Sequence, residues 1–222
     1  MKRANKSRII VGVIGLVIFV FYTWLLTIID QKPIGPNNSY VGFASVNKAA
    51  HSFFGVNMIL YDITDWAGIA VILVAFSFAI IGLIQWIKRK NILKVDFCII
   101  LLGIYYICVF GVYLLFEFVP INYRPVLING YLETSYPSST TMLAMCVMPS
   151  AAIELDRLIH RRNFKKILIG LCYGFEGFMV VGRVLSGVHW ITDILGGAIF
   201  SISILLIFSG LHKHLLTKQK AR

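Results

Sequence analysis

The stretch Gly182-Arg183-Val184-Leu185-Ser186-Gly187-Val188-His189-Trp190-Ile191-Thr192-Asp193 lies between two apolar runs, residues 167–185 and 191–211. Each run is long enough to cross a bilayer as a helix, which takes about 20 residues. An arginine, a histidine and a carboxylate therefore stand where one span ends and the next begins. His189 and Asp193 are four residues apart, so a helix from Trp190 onward would put both on one face. The Asp would then hold one ring nitrogen and leave the other free, which prepares a histidine as base or nucleophile. Arg183 has the charge and fork geometry that suit a phosphate.

The rest of the chain repeats the pattern. Of 222 residues, 58% are hydrophobic and 14% charged, against about half and a quarter in soluble domains. Apolar runs at 9–29, 63–87, 97–119, 138–155, 167–185 and 191–211 predict an all-α integral membrane protein with six transmembrane helices in one bundle. Residues 1–222 form a single membrane domain, since the polar segments are too short to fold alone. The first run is longer than a signal sequence and lacks a small-residue cleavage site, so it reads as a retained anchor. Residues 30–62 make the longest polar connection, and 41–55 within it read as a short helix along the membrane surface. Pro149 is expected to bend the fourth span.

The net charge of +11 does not point to nucleic acid. Seventeen of the 21 Lys and Arg residues fall in four clusters, at 1–8, 88–94, 156–166 and 213–222. Such clustering marks cytoplasmic segments and places both termini in the cytoplasm of a plasma-membrane protein. It places 117–140 and 182–193 on the extracytoplasmic side. Cys98, Cys108, Cys146 and Cys172 all lie in apolar runs without metal-type spacing and read as buried apolar side chains. His160, His212 and His214 read as solvated cytoplasmic residues. Glu176, inside the fifth span and two turns from Arg183, reads as hydrogen-bonded between helices or as a relay group.

Three polar patches then share one membrane face: Arg124-Pro125, Pro137-Ser138-Ser139-Thr140, and Arg183 with His189 and Asp193. Charged side chains at such positions cost about 2.5–3.5 kcal/mol at a helix centre on insertion scales. A bound anion accounts for them.

Together the patches resemble the motifs of the type 2 phosphatidic acid phosphatase family, over roughly residues 117–197. The resemblance implies that His189 attacks phosphorus and forms a phosphohistidine, and that Asp193 orients it. Arg124, Arg183, Ser138 and the backbone around Ser139 would hold the phosphoryl oxygens. It implies metal-independent hydrolysis of a lipid phosphate, with no cofactor and with the bilayer and the lipid as the partners. The chain departs from the family chiefly at two places, with Gly182 for serine at the start of the third motif as a milder change. Glu117 stands where the first motif has lysine, and Thr140 stands where the second has the general-acid histidine. A hydroxyl is a weak acid near neutral pH. Either the leaving group needs little help, as a diphosphate such as undecaprenyl diphosphate would, or Glu117, Glu133 or His51 supplies the proton, with Thr140 at most a modulator. A non-catalytic lipid-phosphate-binding protein is the second reading, and a small transporter the third.

Overall fold

The computed structural model describes residues 2–220, with side chains over 4–217; the outermost members of the two basic terminal clusters lie outside the described residues. Seven α-helices account for most of it: α1 (Lys2–Leu26), α2 (Ala44–Phe54), α3 (Met58–Arg89), α4 (Phe97–Phe118), α5 (Ser139–Leu158), α6 (Arg162–Ser186) and α7 (Ile191–Lys220). Five of them, α1, α3, α4, α6 and α7, are long and apolar enough to cross a membrane. Their outward faces carry large apolar side chains such as Val17, Val20, Trp66, Ile72 and Ile107. That inside-out pattern suits a lipid solvent.

The sixth long helix differs. α5 has 20 residues but includes Glu154, Asp156 and Arg157, and its hydropathy falls short of the other five. It is instead the best-buried helix, with Met142, Ala144, Cys146, Val147 and Ala151 facing neighbours on several sides. A central helix contacts protein rather than lipid, so its sequence does not need to be uniformly apolar. α5 runs on through Pro149, and the Tyr105 and Ser150 hydroxyls both donate to the Cys146 carbonyl one turn earlier.

α1 packs along α7, where Gly12, Gly15 and Gly210 bring the two backbones together. Phe19, Leu102, Tyr105, Val109, Met142, Phe200 and Phe208 fill the centre of the bundle. The surface helix expected within residues 41–55 is α2, and Asn47 ties it to the start of α7. The Asn47 amide donates to Gly42 O and Thr192 Oγ1 and accepts from the Thr192 N–H. Tyr22 points inward and donates to Thr192 O at 3.0 Å. Cys98, Cys146 and Cys172 are buried as expected, whereas Cys108 faces outward.

Candidate active site

The site lies where α4 ends and α5 and α7 begin. Residues 119–138 fold into a narrow ribbon in which Tyr123 pairs with Thr134 and Ile128 with Tyr131. Arg124 N–H donates to Glu133 O and Ser135 N–H to Asn122 O. This pairing sets Arg124 beside Glu133 and carries Ser135 to His189. The Trp190 indole N–H donates to Tyr123 O at 2.7 Å, so the ribbon is fastened to the α6–α7 turn.

That turn is tight. Gly187 has φ +64°, and a Cβ there would meet Gly55 O at 1.8 Å. Glycine is the residue that tolerates both demands. α7 starts at Ile191, so His189 precedes the helix. The expectation that His189 and Asp193 share a helical face is therefore corrected. No hydrogen bond or ion pair joins them directly. Asp193 sits in the first turn of α7, and its Oδ2 accepts from the backbone N–H of Trp190 at 3.1 Å, as third-position carboxylates do in capping boxes. The same Oδ2 accepts from the Ser135 hydroxyl at 2.5 Å, and Oδ1 accepts from the Asn122 amide at 2.9 Å.

Ser135 completes the link. Its Oγ is 2.9 Å from His189 Nδ1, and its carbonyl oxygen is 3.2 Å from the same nitrogen. A carbonyl only accepts, so Nδ1 carries the hydrogen. The serine proton goes to Asp193, which leaves Oγ free to accept from Nδ1–H. Nε2 is then an unprotonated lone pair, buried and without a partner. Burial, with Arg124 and Arg183 close by, holds the His189 pKa well below the ordinary histidine value. The ring is neutral at neutral pH.

Both arginines converge on the same region. Their guanidinium carbons lie 5.5 Å (Arg124) and 4.9 Å (Arg183) from the Tyr61 ring centroid. Such contacts contribute about 0.5–2 kcal/mol. Arg124 pairs with Glu133 at 3.2 Å, and Arg183 donates through one nitrogen to Asp65 at 2.6 Å and to Thr140 at 2.5 Å. In each guanidinium Nε and a second terminal nitrogen remain buried and unpartnered. These orphan donors, with the orphan Nε2, are the complement of a tetrahedral oxyanion.

A cavity of about 400 Å³ opens on His189 and Arg124, lined also by Glu117, Glu133, Ser135, Ser139, Tyr113 and Phe116. Ser139 is the first residue of α5, so the positive end of that helix faces the cavity. Ser138 is placed otherwise than expected. Its hydroxyl is buried and donates to Thr141, while its N–H donates to Asp193 O. Thr140 is occupied by Arg183. Glu117 pairs with neither arginine; it accepts from the Thr134 hydroxyl at 3.1 Å. Glu176 has no hydrogen-bond or ion-pair partner among the described residues, so the interhelical bond expected of it does not form. Ser135, Asn122, Tyr61 and Asp65 were not legible as site residues.

Residues 66–215 match the PAP2 superfamily. Phosphatidylglycerophosphatase B of Bacillus subtilis (strain 168) is 37% identical over 75 residues, which are 33% of this chain and 36% of that protein. The chain thus spans about a third of that relative's length in the match. The crystal structure of a transmembrane PAP2 type phosphatidylglycerolphosphate phosphatase from Bacillus subtilis superposes with a TM-score of 0.57 at 23% identity, covering 94% of this chain and 96% of that one. At that identity the likeness is one of fold; the five helices long and apolar enough to cross a membrane, together with the family match, make the chain a multi-pass membrane protein.

Proposed function

The chain belongs to the PAP2 superfamily, and from that membership we propose that it hydrolyses a lipid phosphate or isoprenoid diphosphate through a phosphohistidine on His189. The observation that carries the reading is the buried, unpartnered Nε2 of His189, facing a cavity beside guanidinium nitrogens that also lack partners. Nε2 attacks phosphorus in line, the P–O bond to the lipid breaks, and the leaving oxygen takes a proton. Water then cleaves the P–N bond and releases phosphate. Arg124, Arg183 and the α5 N-terminus offset the charge on the equatorial oxygens. Ser139 reaches this oxyanion through its backbone; Ser138 supports the start of α5.

The proton is the open step. Thr140 and Glu133 are engaged by arginines, which favour their acceptor roles. Glu117 has no cationic partner among the described residues and lines the cavity with His189. Glu117 is therefore the group we assign to protonate a poor alkoxide leaving group. A diphosphate expels phosphate, a better leaving group, and needs that help less.

All six long helices cross the bilayer in this reading, α5 in the protected centre. The basic ends face the cytoplasm of the plasma membrane, and the cavity faces outward. The relative's name adds phosphatidylglycerophosphate to the substrates worth comparing. The test is phosphate release by the purified protein from phosphatidic acid, phosphatidylglycerophosphate and undecaprenyl diphosphate in parallel. Turnover abolished by His189→Ala, with a phosphoenzyme trapped in the native protein, supports the reading. Binding without turnover on all three identifies a lipid-phosphate-binding protein instead.

A further inference from the structure

At the other end of α5 from His189, side chains from three helices meet inside the bundle. Cys98 lies in the first turn of α4, Glu154 near the end of α5 and His212 in the last third of α7. One sulfur, oxygen or nitrogen atom from each lies within 4.8 Å of the other two, and all three residues are buried. From Ser139 to Glu154 the helix rises about 22 Å at 1.5 Å per residue. The cluster is therefore remote from the phosphate site. It also corrects the expectation that His212 is merely solvated.

His212 Nε2 is 2.8 Å from Glu154 Oε1. Yet both atoms lack a hydrogen-bond partner of acceptable geometry. A hydrogen on Nε2 would not be aimed at the oxygen. Two buried polar atoms thus lie at ion-pair distance without a well-aimed hydrogen bond between them or to any other group, which buried polar atoms seldom do. The Cys98 sulfur borders the same space.

The groups around the cluster hold it in place. Arg157 Nε donates to the second oxygen of Glu154 at 2.8 Å, and its NH1 donates to Asp96 Oδ2 at 2.5 Å. Asp96 Oδ1 accepts from the Cys98 backbone N–H at 3.0 Å. Arg157 and Asp96 offset one another's charge while orienting Glu154 and the first turn of α4. Outer groups orient metal ligands in this way. A divalent ion with Cys98 as thiolate and Glu154 as carboxylate would make a neutral centre.

We propose that Cys98, Glu154 and His212 bind one divalent transition-metal ion of the zinc type, with water completing the coordination. A sulfur, nitrogen and oxygen donor set suits zinc and does not suit calcium or magnesium. Zinc bonds of about 2.0–2.3 Å set tetrahedral ligand atoms about 3.3–3.7 Å apart, so small side-chain adjustments seat the ion. It would clamp the start of α4 to the ends of α5 and α7. The ligands are 56 and 58 residues apart in the chain, which is why no spacing motif announces them. The proposal does not rest on the hydrolase reading.

The test uses the full chain purified in detergent. Cobalt(II) should bind at one equivalent and give a thiolate-to-metal charge-transfer absorption. Cys98→Ser should remove that absorption, and His212→Gln should weaken metal affinity at least tenfold, while Cys108→Ser changes neither. If the variants do not fold, X-ray absorption of the zinc-loaded native protein decides: one sulfur at about 2.3 Å with nitrogen and oxygen neighbours at about 2.0–2.2 Å is expected. Substoichiometric binding, a zinc shell without sulfur, or an absorption that survives Cys98→Ser in folded protein overturns the proposal.

Discussion

Asp193 reaches His189 through the hydroxyl of Ser135, which is 2.5 Å from the carboxylate and 2.9 Å from the imidazole Nδ1. The serine fixes the tautomer and passes the influence of the carboxylate to the ring. Ser135→Ala leaves Nδ1 with the backbone carbonyl alone and takes one of three donors from Asp193. Losing a hydrogen bond to a charged group costs about 1.5–3 kcal/mol. We expect kcat to fall about 10- to 150-fold on that basis, with KM nearly unchanged. Steady-state phosphate release checks this. A loss as deep as that of His189→Ala would mean that Ser135 does more than orient the ring.

The pH dependence follows from the position of His189. Burial and the two arginines hold its folded-state pKa well below the ordinary value, which is about 6.5. The nucleophile therefore stays unprotonated as pH falls past 6.5, and the acid limb of kcat/KM due to this ring lies below that point. Arg124→Gln removes one positive neighbour, raises the His189 pKa and moves the limb to higher pH. The stability sign follows by linkage. The unfolded ring binds a proton below about pH 6.5 and the folded ring resists it. The stability contribution is complete above that pH and is lost as pH falls toward the folded-state value. A pH series of kcat/KM and of detergent melting curves reads both effects.

Much of this was legible before any coordinates. The positions of the long helices and the surface helix follow from hydropathy and turn residues. Arg183, His189 and Asp193 stand out because charge at a span boundary is costly. Ser135 does not stand out: it is one serine in a polar loop, and its partners lie 54 and 58 residues away. Tyr61 and Asp65 gain meaning only when α3 packs beside α6. The direct His–Asp contact was misjudged because the helix begins one residue later than assumed, at Ile191. The turn then aims the ring at the ribbon rather than along the helix.

Glu117 lines the cavity with His189 and bonds to Thr134 rather than to an arginine. If it protonates the leaving oxygen, Glu117→Gln should lower kcat for a lipid monophosphate by about 10²–10⁴, the usual contribution of a general acid. A diphosphate substrate should lose far less. Equal losses on both substrates would remove Glu117 from proton transfer and leave it a role in shaping the cavity.

Asp65 holds Arg183 at 2.6 Å from a side chain that is 55% exposed. A half-exposed carboxylate competes with phosphate for the same guanidinium and contributes little to stability. Asp65→Asn keeps an acceptor for Arg183 but removes the charge. We expect inorganic phosphate to inhibit the variant at several-fold lower concentration, with a steeper salt dependence. Weaker phosphate inhibition would show instead that Asp65 is needed to aim Arg183.

Gly196 lets the Tyr136 ring lie against α7. A Cβ at this position would sit 2.3 Å from Tyr136 Cε2 and 2.8 Å from its hydroxyl oxygen. The ring cannot retreat freely, because it stacks on Phe19 and meets Phe116, and its hydroxyl bonds to Thr23. Tyr136 is also the residue between Ser135 and Pro137. Gly196→Ala therefore pushes on the segment that carries the His189–Asp193 link. Overpacking of this kind costs about 1–3 kcal/mol, so the melting temperature should drop by several degrees. Because the displaced ring moves Ser135, kcat should fall with it. Gly197→Ala makes a useful contrast: its nearest neighbour would be Ser138 O at 3.3 Å, a distance that small shifts can absorb. If Gly196→Ala loses stability but keeps full turnover, Tyr136 is a packing residue and does not position Ser135.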